Sequence, residues 1–144
     1  MSSEANIVKD LIDRGLAPIR VDMARFRAGL DAMTAASDKP PASAISALRS
    51  ARDHALAAQN SLKAANAGHI RLIPGGGQAL RGFLYLSQGL SALLGALSSS
   101  GATTAGELAS ARKLLARSGS EFLAADRALD CQYGCRKPPT VTIP

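Results

Sequence analysis

Gln78-Ala79-Leu80-Arg81-Gly82-Phe83-Leu84-Tyr85-Leu86-Ser87-Gln88-Gly89-Leu90-Ser91-Ala92-Leu93-Leu94-Gly95-Ala96-Leu97 is the most apolar stretch of the chain, and past Arg81 it carries no charge until Glu107. At 3.6 residues per turn it divides into three faces. Leu80, Phe83, Ser87, Leu90, Leu94 and Leu97 make one seam, and Gly82, Leu86, Gly89, Leu93 and Ala96 make a second beside it. Arg81, Tyr85, Gln88, Ala92, Gly95 and Ser99 remain as a third face, small and only mildly polar. A helix apolar over most of its circumference is buried over most of it, so other helices must cover this one. A membrane span is rejected: Gly82–Leu97 is 16 residues with two Ser, a Gln and three Gly, where about 20 mainly apolar residues are needed.

The covering helices are readable on either side. Val8, Ile12, Ile19, Met23, Phe26, Leu30 and Met33 keep one helical phase, which predicts a long first helix to about Ala36, kinked near Gly15 and Pro18. Asp10–Arg14 and Arg27–Asp31 are i,i+4 ion pairs suited to its exposed side. Ser37-Asp38-Lys39-Pro40-Pro41 stops and restarts the chain. A second helix follows from about Ala42 to Ala67. Its seam is Ala44, Leu48, Ala51, Ala55, Ala58, Leu62 and Ala65, mostly methyl groups that let backbones approach closely. Gly68 caps it, and His69–Gly77 forms a connection long and apolar enough to fold back onto the end of the bundle. A fourth helix begins at Thr103 or Thr104, with Glu107 placed for a capping box. It carries Leu108, Ala111, Leu115, Ser118, Phe122, Ala125 and Leu129 and ends between Asp130 and Tyr133. Four helices with short connections predict an all-α, up-down-up-down four-helix bundle over residues 1–135, with an extended Pro-rich tail over 136–144.

Composition supports that class. The 144 residues are 47% hydrophobic but 3% aromatic, with 28 Ala and no Trp, which favours close-packed helices over strands. Net charge is +6, unevenly spread: residues 1–37 are neutral, residues 38–81 carry six bases and two acids, and the remainder six bases and four acids. A basic middle suits an anionic partner. The opening Met-Ser-Ser-Glu-Ala-Asn-Ile-Val-Lys-Asp lacks the pattern of a signal peptide, so the expected compartment is the cytoplasm. Cys131 and Cys135 are too few for a disulfide framework, and in the cytoplasm are read as reduced thiols.

Chemistry is sparse. Glu occurs only at positions 4, 107 and 121, none followed three residues later by His, which excludes the Glu-x-x-His carboxylate-bridged metal pair of helical bundles. Cys131 and Cys135 with His54 and His69 do not have zinc-site spacing. Gly75-Gly76-Gly77 precedes a helix but lacks the Lys-Ser/Thr of a phosphate loop. No cofactor or metal is expected.

Three functional readings follow. The first is a non-enzymatic structural or adaptor protein acting through self-assembly or protein–protein contacts, with Gly82, Tyr85, Gly89, Ala92, Ala96, Val141 and Ile143 as the candidate interface. The second is a basic anion-binding module for nucleic acid or a nucleotide, using Arg49, Arg52, Lys63, Arg71 and Arg81. For the third, Arg49-x-x-x-x-His54 superficially resembles the Arg-x4–6-His element of HEPN-type ribonucleases, helical bundles whose Arg and His act on an RNA phosphate across a dimer. That two-residue resemblance implies an RNA-cleaving role for Arg49 and His54, and no family is recognisable across the whole chain.

Overall fold

In the computed structural model the described residues are 3–32, 40–98 and 104–130. They form four helices: α1 (Ser3–Asp31), α2 (Ala42–Ala64), α3 (Gly76–Ser98) and α4 (Thr104–Asp130). Two short 3-10 turns, Ala65–Gly68 and Ile70–Leu72, lie between α2 and α3. The arrangement is the all-α up-down-up-down bundle that the apolar periodicity predicts, with no strand among the described residues. Met33, the tail from 136 with Val141 and Ile143, and Cys131 and Cys135 lie outside the described residues.

Helix α1 runs without interruption through Gly15 and Pro18 to Asp31, and the predicted end near Ala36 lies outside the described residues. Its buried arc is Val8, Ile12, Leu16, Ile19, Met23 and Phe26. Leu16 therefore joins the predicted seam, while Leu30 is exposed. Helix α2 starts where Pro41 ends: extended backbone at Pro41 lets its carbonyl accept from the N–H groups of Ala44 and Ile45. All of the predicted α2 seam is buried except Ala65, which is half-buried. Past α2, Gly68 takes φ +83°, a left-handed conformation that costs a residue with a Cβ roughly 1–2 kcal/mol. The connection then turns Ile70 and Ile73 into the core and leaves Leu72 80% exposed.

Consecutive helices pack closely, and small residues explain why. Gly15 of α1 lies against Ala58 of α2 and the Phe83 ring of α3, and Gly29 lies against Ala44. Between α3 and α4, Gly82 lies against the Phe122 ring and Gly89 against Leu114 and Leu115. Helices α1 and α4 approach each other less closely. The centre is an edge-to-face pair, Phe83 and Phe122, with ring centroids 4.8 Å apart and both side chains inaccessible to solvent. Ser118, also buried, satisfies its hydroxyl by donating to the Gly82 carbonyl at 2.7 Å.

Candidate functional site

Helix α3 presents about half its circumference to neighbours, and its second seam is buried at every position but Leu93, which is half-buried. Gly82, Gly89 and Ala96 are buried, the two glycines beneath Phe122 and Leu115 of α4. Tyr85 is half-buried at the edge of that contact, with the Arg117 guanidinium 4.7 Å above its ring, and Ala92 is half-buried beside it. Three of the predicted interface residues, Gly82, Gly89 and Ala96, are thus buried within the chain, while Tyr85 and Ala92 remain partly accessible.

The basic residues fall into two groups. On α2 a 100° turn per residue places Arg49, Arg52, Leu56 and Lys63 within an arc of about 60°. Arg49 and Lys63 are exposed and Leu56 is 42% exposed. Arg52 is half-buried and contacts its neighbour Asp53 at 3.3 Å. Arg49 and Lys63 stand about 21 Å apart along the axis. Beyond Lys63, at the same end of α2, come exposed Arg71 and Leu72. Among the described residues Arg49, Lys63 and Arg71 have no carboxylate partner. Arg81 belongs elsewhere: its Nε donates to Glu121 Oε2 of α4 at 3.1 Å. Four of the five candidate cations are therefore carried by α2 and the connection after it, and the fifth is held by the opposite flank of α3. Gln59, which sequence position puts on the same outward face, is 8% exposed and faces the core edge.

Charge segregates with these elements. Residues 42–98, from α2 through α3, hold five bases and one acid, a net +4. Helix α1 holds five of each and α4 four of each, so both are neutral. Net positive charge is therefore concentrated in α2, α3 and the connection between them.

A second constellation lies between α1 and α2. Asp22 is 2% exposed, an acid inside the apolar arc of Ile19, Met23 and Phe26. Its Oδ2 lies 2.6 Å from His54 Nδ1 across the helix pair. Since the partner is a carboxylate, Nδ1 is the protonated nitrogen and donates. The His54 side chain is 43% exposed, and its Nε2 has no partner among the described residues. His54 lines an open groove of about 270 Å³ with Leu11, Gly15, Pro18 and Ala58, and Arg14, Ala57 and Ser61 are exposed at its edge. Sequence reading misses this pair, because nothing local links residues 32 positions apart. The one available signal is Asp22 itself, a lone acid inside a buried helical arc.

Arg49 and His54 do not converge. Five residues apart on one helix, they point about 140° from each other; Arg49 stands on the basic face and His54 in the groove, held by Asp22.

Comparison with family models, with curated proteins and with solved structures finds no match in any of the three. Among the described residues no three His, Cys, Asp or Glu side chains come together as a metal site requires, and no described helix is long and apolar enough to cross a membrane.

Proposed function

We propose that this chain is a non-enzymatic helical adaptor that docks an acidic, amphipathic helical segment of a partner protein on the basic face of α2. The observation that carries this reading is the coincidence of exposed leucines with cations that have no carboxylate partner among the described residues: Arg49, Lys63 and Leu56 on one arc of α2, and Arg71 and Leu72 in the connection after it. Acidic residues beside leucines on a partner helix complement both features. The second reading, an anion-binding module, has the same +4 in its favour. It is disfavoured because α2 and the connection hold no Phe, Tyr or Trp on which a base would stack.

A labelled acidic peptide with leucines at i,i+4 tests the proposal by fluorescence anisotropy. It is compared with a scrambled peptide of the same composition and with a single-stranded oligonucleotide of equal charge. The amphipathic peptide is expected to bind about tenfold or more tightly than the scrambled one. Arg49→Glu with Lys63→Glu and Arg71→Glu is expected to abolish binding, and Leu56→Ser with Leu72→Ser to weaken it. Oligonucleotide binding as tight as peptide binding, with a steep salt dependence, would instead establish the anion module. Failure of both ligands to bind ends both readings.

A further inference from the structure

We propose that His54 is a phosphoryl-acceptor residue, taking a phosphoryl group at Nε2 from a small donor of the phosphoramidate or acyl-phosphate class, with Asp22 as its positioning residue. The inference stands apart from the docking reading, because His54 lies on the flank of α2 that faces α1 and not on its basic arc.

Asp22 is the starting point. Its carboxylate is nearly inaccessible, and His54 is its one partner among the described residues. Moving a carboxylate into a core is costly, and an apolar pair at such a crossing would pack at least as stably. What the pair provides that an apolar contact would not is orientation. Nδ1–H is committed to Oδ2 at 2.6 Å, so in the neutral ring the lone pair is on Nε2, which has no partner among the described residues. A nucleophile held by a third group in this manner is the arrangement that activates side chains for covalent transfer.

The step balances without any further reactant. The Nε2 lone pair attacks phosphorus, the phosphorus–nitrogen bond of phosphoramidate breaks, and ammonia departs with that electron pair. The ring becomes a phosphoryl-imidazolium, and the Asp22 carboxylate stabilises the positive charge that develops on it. Arg14, at the edge of the same groove, supplies a guanidinium for the phosphoryl oxygens. Its present partner, Asp10 at 3.1 Å, forms an exposed pair that exchanges readily. The product places roughly −1.5 to −2 units of charge in the α1–α2 groove, where Asp22 is already buried.

His69 provides an internal comparison. It is exposed, lies in the connection after α2, and has no carboxylate partner among the described residues. Intact chain incubated with potassium phosphoramidate at neutral pH is followed by mass spectrometry that preserves phosphohistidine and by phosphorus NMR. One phosphoryl increment is expected, assigned to His54, appearing before any at His69. Asp22→Asn keeps the shape and loses the charge; it is expected to slow reaction at His54 by at least about tenfold and leave His69 unchanged. The nitrogen spectrum of the imidazole in that variant reports whether the Nδ1–H tautomer persists. Equal or faster modification of His69 in the wild-type chain, or no phosphohistidine at all, overturns the proposal and depends on no variant folding. An unaltered His54 rate in Asp22→Asn overturns the positioning role.

Discussion

Gly82 and Gly119 both sit inside helices, yet an added methyl group meets different surroundings at each. At Gly82 a Cβ would fall 2.8–3.0 Å from three carbons of the Phe122 ring, and that ring is itself fixed against Phe83. Gly82→Ala is expected to destabilise the protein by up to about 2 kcal/mol, the usual overpacking cost of about 1–3 kcal/mol less the helix-propensity gain of about 1 kcal/mol. At Gly119 nothing lies within 4 Å, so the propensity gain stands alone and Gly119→Ala is expected to stabilise by about 0.5–1 kcal/mol. Urea unfolding followed by far-ultraviolet circular dichroism compares the two, and equal signs would contradict the packing described. At this scale the sequence is least legible. That Gly82 meets an aromatic ring and Gly119 meets nothing depends on which helix lies opposite, as does the pairing of Asp22 with His54.

The helices themselves are legible because each keeps an apolar phase for several turns. The α2 seam shows both the strength and the limit of that signal. Six of its seven residues are buried as the periodicity implies, and their small size correctly implies close neighbours. Periodicity alone does not say that Gln59 would sit in the core edge while Leu56 stays out. Ala51 is wholly buried, and Ala51→Leu is expected to cost about 1–3 kcal/mol and to broaden thermal unfolding, since the added volume must separate α2 from its neighbours. Helix ends are less legible than helix faces. The apolar phase of α1 includes Leu30 in sequence, but Leu30, at the last turn before Asp31, is exposed. The connection before α3 is the other place where local chemistry decides. Gly75 has φ +86° and its Cβ position is 3.0 Å from the Ala125 carbonyl oxygen. Gly75→Ala is therefore expected to lower the unfolding midpoint in urea, through backbone strain of roughly 1–2 kcal/mol together with that contact.

Across the whole molecule, apolar packing supports the fold and charge decorates it. Three of the ion pairs, Asp10–Arg14, Arg52–Asp53 and Arg81–Glu121, are largely exposed, and each contributes about 0–1 kcal/mol at most. Raising salt from low to moderate concentration is expected to leave the urea midpoint nearly unchanged while weakening any complex on the α2 face; a large loss of stability with salt would show that the pairs matter more than their exposure indicates. Net charge and its concentration in residues 42–98 are legible by counting, and so is the bundle. What covers the second seam of α3 is not legible, since a seam of Gly and Ala looks the same whether the chain or a partner fills it. That closure has a consequence for biosynthesis. Phe122 seals the centre of the core against Gly82 and Phe83, and it emerges from the ribosome 39 residues after Phe83. Throughout that interval the nascent chain displays the glycine-lined flank of α3 with nothing to cover it. A chain arrested after Ser98 is thus expected to bind the dye ANS and to sediment as aggregate, whereas co-expression of α4 as a separate peptide should restore a soluble product.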